Sequence, residues 1–547
     1  RTVARGDGAG RQGRVGAAST PRARVGGGSS RAAPSGYRRS GGGGASKSQI
    51  TRRRLLTVLV AVALVVAVVI AGGYLYGLYR FRQIHRTKVG ALVPTPAGGP
   101  VNILLVGNSC RTCLNGKQTG AFGTAAQAGN GGGSDVVMVL HLDPSTRRAT
   151  IVSLPRDTFI PIPGTGKLNR INTAFDTGSA RLVQAVEQDF GIPINHYAAL
   201  NFDTFQNVVN NLGGVNMYFP DPVKDRYSGL NIPNAGCHHL NGFQALAVVR
   251  SRHLYYYANG QWNYDGLSDI SRIARDHEFL RVVASSIKSK ALNPVKLDSI
   301  LSAVLPSLKL DSSFTYNEIL HLALTFRTIN PGAIPSMTLP VYLGNQAMIY
   351  NGVNYGSVVL PLQPTDNATL RSALGLPNPS IAKGTTVQVL NGSGISGQAT
   401  QVAGQIGALG EHVTNVGNSN VTSSPAETVV YYAPGHQHAA IALENHLSGA
   451  VTMGLSTHLP AGTDLRLVTG TYLNVAAPAS RTSTAPATST PTSGGASAPS
   501  TSTGSAGGSS SASLPGPLAL GAVAPTSPLP PWDPRACPAG MPVTPIG

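Results

Sequence analysis

A mixed three-layer α/β domain, followed by a small α/β domain and preceded by one transmembrane helix, is the fold class the sequence predicts. Three observations carry it. From Leu55 to Leu78 no side chain is charged, a run long enough, at about 1.5 Å per residue, to cross a hydrocarbon core of about 30 Å. Beyond it, short β-rich runs alternate with apolar stripes of helical period. AspProSerThr at Asp143 reads as a turn between antiparallel strands, so the sheet is mixed.

The 547 residues allow roughly three domains. Net charge is +19, of which +12 lies in the first 54 residues. The bulk of the chain is therefore only mildly basic. The tail holds Arg, Gly, Ser and Ala without a recognition motif, so no nucleic-acid partner is expected. Residues 1–54 read as a disordered cytoplasmic tail, too poor in aliphatic side chains to offset the entropy of ordering.

Residues 55–79 read as the transmembrane helix. A cleavable signal peptide is the competing reading, disfavoured by the length of the preceding tail and the lack of an AxA-type cleavage site. Lys47, Arg52, Arg53 and Arg54 precede the helix; Arg80, Arg82, Arg86 and Lys88 follow it. Arg38 and Arg39 tip the balance to a cytoplasmic N-terminus, which puts the C-terminal bulk outside the cell. Tyr74, Tyr76 and Tyr79 fit an interfacial aromatic belt at the far end.

The larger domain spans 97–375. ValAsnIleLeuLeuVal at Val101 has no polar alternation, as in a strand buried on both faces. Val136 to Leu142 and Ala149 to Leu154 are the antiparallel pair. Leu182, Val183, Val186 and Phe190 share one helical face, closed by Gly191. Phe205, Val208, Val209 and Leu212 form a second stripe behind Asp203 as N-cap, and Val215 to Phe219 resumes strand character. Ile270, Ile273, Leu280, Val283 and Ile287 mark a long third helix. The smaller domain, 384–475, opens with a strand from Thr386 to Leu390, then a helix carrying Val402, Ile406 and Leu409, then a strand from Thr428 to Tyr432. Residues 476–547 are rich in Ser, Thr, Pro and Ala and read as a disordered, solvated tail.

SerLeuProArgAsp at Ser153 places Arg156 at the exit of a strand, the usual position of a site in an α/β sheet. In a hairpin the entry of one strand adjoins the exit of its partner, so Asp135 is expected beside Arg156, an acid for a divalent cation next to a cation for phosphate oxygens. Pairing of Arg156 with Asp157 for local order is the bland alternative. Arg250, Arg252, Arg272 and Arg275 sit on separate elements near one end and match the paired oxygens of a diphosphate. Against that stands a solvated basic face balanced by Asp265, Asp269, Asp276 and Glu278.

AsnIleLeuLeuValGly at Asn102, SerAspValValMetValLeuHisLeuAspPro at Ser134, SerLeuProArgAsp at Ser153, ArgIleAsnThrAlaPhe at Arg170, LeuGlyGlyValAsnMet at Leu212, the run from His238 to His253 and AspIleSerArgIleAlaArgAsp at Asp269 together resemble the LytR-CpsA-Psr family of cell-wall glycopolymer ligases, in an actinobacterial form. ValLeuAsnGlySerGly at Val389 looks like the accessory C-terminal domain of that family. The resemblance implies an extracytoplasmic, membrane-anchored phosphotransferase. It would move a glycan from a polyprenyl diphosphate to the 6-hydroxyl of N-acetylmuramic acid in peptidoglycan, through a phosphodiester. It implies Mg²⁺, with Mn²⁺ as the substitute, at Asp135, and diphosphate binding by Arg111, Arg156, Arg170, Arg250, Arg252, Arg272 and Arg275. Asp135, Arg156 and Arg252 would carry the catalysis. The carrier lipid needs an apolar trough, for which the stripes of the first two helices are the expected walls.

Two positions depart from the family. Ser109 stands where an Asp is usual, and Asp276 replaces a common Gln. Ser109 motivates the alternative of a non-catalytic binder of lipid-linked glycan or a wall-associated regulator. Cys110 and Cys113 form a lone CxxC, weak evidence for metal. Outside the cell a disulfide is favoured, with the pairing among Cys110, Cys113, Cys237 and Cys537 left open. His238, His239 and His253 are read as structural.

Overall fold

The computed structural model describes residues 47–108, 133–267, 269–290, 293–343, 347–421, 423, 425–476 and 529–546. The chain divides into two units, Arg1–Gly73 and Tyr74–Gly547. In the first begins the helix Lys47–Phe81, whose window Leu59–Phe81 has mean hydropathy 2.5 with none of it buried, as a membrane-spanning helix requires.

In the second unit a seven-stranded sheet runs in the order His85–Thr87, Lys309–Asp311, His196–Asn201, Val101–Asn108, Ser134–Asp143, Arg148–Ser153 and Ser336–Thr338. Val101–Asn108 is parallel to His196–Asn201 and antiparallel to Ser134–Asp143, which is antiparallel to Arg148–Ser153. The sheet is mixed, as the turn at Asp143 implies. Leu104, Val139 and Val152 are fully buried within it. The helix Ser179–Phe190 lays Leu182, Val183 and Val186 into the same core and ends at Gly191, whose φ of +61° a side chain would strain.

The next helix, Phe202–Asn211, is capped by Asn201, whose side chain accepts from the Thr204 amide at 2.8 Å. The cap is thus two residues earlier than Asp203, which falls inside the first turn, because an Asn oxygen at the residue before the helix reaches the third amide directly. Phe205 stacks on Phe279 of the long helix Asp269–Lys290 with ring centroids 5.0 Å apart. The first stripe therefore faces protein throughout, and the second does so at Val209 and Leu212. The expectation that they wall a lipid trough does not hold for the first stripe, whose area is already removed from water by the core; in the second, Val209 and Leu212 are buried while Phe205 and Val208 are only half-buried.

The smaller domain packs the helices Gln398–Leu409 and Gln437–Glu444 on strands Thr386–Asn391, His412–Asn418, Thr428–Tyr432, Leu447–Leu455 and Leu465–Thr469. Its sheet continues into the larger domain. Val359–Gln363 pairs antiparallel with Leu447–Leu455, Leu362 opposite Ala450. The junction is polar as well: Arg371 donates to the Phe190 carbonyl at 2.7 Å, and Tyr432 to that of Gln188 at 3.0 Å.

The tail is ordered at its far end. Arg535–Ala536 adds antiparallel to one edge of the pair Val215–Phe219 and Gly236–Leu240, and Val543–Pro545 adds parallel to the other edge. Cys237 and Cys537 form a disulfide with Cα atoms 5.7 Å apart, and Trp532 stacks on Tyr256 at 4.3 Å. For these residues the solvated-tail expectation fails, because two unpaired strand edges and a thiol supply contacts that composition does not reveal. Cys110 and Cys113 lie outside the described residues.

Candidate active site at the end of the central sheet

The register of the first hairpin brings the expected pair together. Met138 lies opposite Ser153, so Asp135 at the strand entry meets Arg156 just past the exit. Arg156 Nη1 donates to Asp135 Oδ1 at 2.5 Å, while its Nε lies 3.4 Å from Asp157 Oδ2 and 3.6 Å from Asp269 Oδ1. The Ser153 hydroxyl sits 2.7 Å from His277 Nε2, pinning the strand exit to the long helix. Burial holds that imidazole down to about 4, reinforced by Arg281, so it is neutral at physiological pH.

The first turn of the long helix supplies the rest. Arg272 Nε lies 3.1 Å from Asp269 Oδ1, and Arg170 Nε lies 3.3 Å from Asp157 Oδ1. Arg170 Nη2 also donates to the Ser357 carbonyl at 3.1 Å and to that of Tyr355. Asp276 is buried beside Arg272, and burial pushes its carboxyl up to about 7 despite Arg272 and Arg275. Burial disfavours the charged form of Arg156, but Asp157, Asp135 and Asp269 hold its pKa above the ordinary value.

The structure thus joins Asp135, Arg156, Arg170 and Arg272 in one network. The anions among the arginines are the protein's own: Asp135, Asp157, Asp269 and Asp276 face three guanidinium groups. Asp157 and Asp269 are absent from the sequence-derived site set. Their signals were the adjacency of Asp157 to Arg156 and the i,i+3 spacing of Asp269 and Arg272.

Arg275 is not part of it. Fully buried, it donates to Asp533 at 2.6 Å, to Asp265 at 3.2 Å and to the Ser251 carbonyl at 2.6 Å. It is a core ion pair, out of reach of a diphosphate, because two acids on its far side neutralise it there. Arg250 ends the helix Gly242–Arg250 and is half-buried. Arg252 stands on the loop that follows, where the Asp225 carboxylate accepts from the Ser251 hydroxyl at 2.8 Å and from the amides of Arg252 and His253 at 3.0 Å each. Among the described residues the Arg252 guanidinium has no ion pair. Arg111 and Ser109 lie outside the described residues. His238 and His239 are used structurally, held by the Asn234 carbonyl and the Asn216 side chain at 2.8 Å each.

Polar oxygens neighbour Asp135 in sequence and register. Among the described residues Asn108 Oδ1, Ser134 Oγ and Asn172 Oδ1 are buried without a hydrogen-bond partner; Asn108 and Ser134 are partners in register, and the Asn172 amide donates to the Arg156 carbonyl at 3.2 Å. Among the described residues no group of three or more His, Cys, Asp or Glu is arranged to hold a metal. That does not count against Mg²⁺, which commonly uses one or two carboxylates plus substrate phosphates.

A family model for the LytR_cpsA_psr family matches residues 81–363, and one described as LytR cell envelope-related transcriptional attenuator matches 384–472. The probable cell wall biosynthesis protein LcpB of Corynebacterium glutamicum is 31% identical over 263 residues, covering 47% of this chain and 59% of LcpB. LcpA of the same organism, a cell wall biosynthesis protein, is 26% identical over 430 residues, covering 70% and 79%. The polyisoprenyl-teichoic acid–peptidoglycan teichoic acid transferase TagU of Enterococcus faecalis is 34% identical over 221 residues, covering 39% and 65%. The chain thus spans less than two thirds of LcpB and of TagU. Among solved structures, a LytR-Csp2A-Psr enzyme from Actinomyces oris aligns with TM-score 0.43 and 26% identity over 53% of this chain and 96% of that one.

Proposed function

This chain belongs to the LytR-CpsA-Psr family, and we propose that it is a membrane-anchored phosphotransferase that attaches a polyprenyl-diphosphate-linked glycopolymer to peptidoglycan outside the cell. The bond formed is a phosphodiester to the 6-hydroxyl of N-acetylmuramic acid, and the polyprenyl phosphate leaves. The observation that supports this is the network of Asp135, Arg156, Arg170, Asp269 and Arg272 at the open end of the sheet.

Charge decides how such a site would work. Three guanidinium groups against four carboxyls give no surplus of positive charge for a diphosphate, so the arginines alone do not suffice. Asp135 would hold Mg²⁺, with Asn108 and Ser134 as neutral oxygens nearby; when bound, the ion supplies charge neutralisation at the phosphoryl oxygens. Arg156, drawn off Asp135, would then turn its fork to the phosphate, and Arg272, fixed by Asp269, would orient the second phosphoryl group. Arg252, without an ion pair among the described residues, would be free to turn to the incoming anion.

The second reading is a binder of lipid-linked glycan that does not turn over. The three carboxylates gathered on Arg156 favour it, since a guanidinium so occupied stabilises structure as readily as a transition state. Full-length protein in nanodiscs, incubated with lipid-linked polymer, peptidoglycan and Mg²⁺, separates the two. A covalent product that disappears in Arg156→Ala supports the transferase; tight retention of lipid-linked polymer with no product under any divalent ion supports the binder.

A further inference from the structure

The four-stranded sheet Leu230–Ile232, Val223–Asp225, Tyr255–Ala258 and Gln261–Tyr264 has two unlike faces. One is core: Val223, Leu230 and Ile232 are buried, and Tyr256 stacks on Trp532. An antiparallel sheet covered on one face normally turns polar side chains to water on the other. Here the exposed face is aromatic. Register places Tyr255 opposite Tyr264 and Tyr257 opposite Trp262, all four on one side of the sheet. Their exposures are 40%, 47%, 40% and 40%. The ring centroids stand 5.2 Å and 5.3 Å apart across the two rungs, so the pairs hold each other upright. Lys224, opposite Tyr255, lays its ammonium 3.7 Å from the Trp262 ring. The four strands place no carboxylate on this face.

Four half-exposed rings on an open, rigid surface are a liability unless something covers them. Aromatic faces with a polar rim suit the C–H faces of sugar rings, while Lys224 and Arg226 suit carboxylates carried beside the sugars. The location ties the platform to the site: the hairpin is the chain between Arg252 and Asp269, closed at its base by the Asp265 amide donating to the Leu254 carbonyl at 2.9 Å. We propose that this aromatic face is the docking platform for the acceptor, an N-acetylated glycan strand of peptidoglycan bearing stem-peptide carboxylates. The proposal rests on the transferase reading for the identity of the acceptor. An open, flat surface fits a long polymer embedded in the wall better than the bounded end of a lipid-linked donor.

The test is co-sedimentation of the full-length protein in detergent with sacculi stripped of secondary polymers, beside the transfer assay. Tyr257→Ala/Trp262→Ala is compared with Trp262→Phe; both alter exposed rings, and unchanged melting verifies folding. The double variant is expected to weaken sacculus binding about tenfold, equivalent to 1.4 kcal/mol, and to raise KM for peptidoglycan with kcat retained, while Trp262→Phe stays near wild type. Normal transfer and normal sacculus binding in the double variant would overturn the platform and leave the transferase standing. Trp262-dependent sacculus binding with no transfer by the wild type would sink the transferase and leave the platform. Loss of binding to soluble donor polymer or to anionic vesicles, or loss of self-association, with sacculus binding unchanged, would also overturn it.

Discussion

Arg275 on the long helix and Asp533 in the C-terminal segment meet at 2.6 Å with neither side chain exposed. Burial pushes the Asp533 carboxyl up to about 6, and Arg275 restrains it from going further. Breaking a buried pair from one side leaves a desolvated charge, at a cost of about 3–5 kcal/mol. Asp265 remains to share the Arg275 charge, so Asp533→Ala is expected near the low end of that range. The measurement is the chemical denaturation midpoint, and an unchanged midpoint would contradict the pairing.

Arg156 is the centre of the site, and its replacement tests charge and shape separately. Arg156→Ala is expected to lower kcat by about 10²–10³-fold, the usual effect of losing one preorganised electrostatic group. Arg156→Lys keeps the charge without the planar fork and is expected to fall between the two. Equal activity of both variants would mean that the fork has no part in orienting phosphate.

If Asp135 holds the ion, chelation abolishes transfer and Mg²⁺ or Mn²⁺ restores it. Asp135→Asn should then raise the half-saturating Mg²⁺ concentration by roughly tenfold or more, with a smaller effect on kcat at saturating metal. A metal titration is sufficient. An identical Mg²⁺ dependence in the variant would place the ion elsewhere.

Asp276 gives a pH dependence of defined sign. Its carboxyl lies near 7 in the folded chain against 3.8 for the free group, so the folded state retains a proton that the unfolded state has released. The contribution is fully present below about pH 4 and is lost as pH rises to about 7. Asp276→Asn removes the titration. The difference in melting temperature between the variant and wild type should therefore change across that interval and be flat above it.

The hairpin logic made the Asp135–Arg156 contact legible, because strand pairing fixes which ends meet irrespective of side-chain chemistry. The strand at Val101 was legible for a related reason: an uninterrupted apolar run cannot face water on either side. Arg275 was not. It lies three residues from Arg272 in the same helix, and nothing local distinguishes an arginine that reaches the site from one neutralised 258 residues later. Asn201 escaped notice as a cap because Asp203 offers an equally good local signal. The first apolar stripe, expected to face lipid, is ordinary core, since a helical period reports that a face is covered and says nothing of what covers it.

The Cys237–Cys537 bond joins residues 300 apart. Cys537→Ser is expected to lower stability by about 2–5 kcal/mol, measured as the difference between oxidised wild type and variant, with the two coinciding under reductant. A difference that persists under reductant would point to packing at Trp532 or Asp533 instead.

That same bond makes a covalent ring of everything from Cys237 to Cys537, including the entire smaller domain. A single proteolytic cut within the ring cannot release a fragment: both pieces stay attached to the N-terminal apolar helix until the sulfurs are reduced. Damage to this part of the chain would therefore leave the assembly in place, invisible on a gel run without thiol and revealed as two bands once thiol is added.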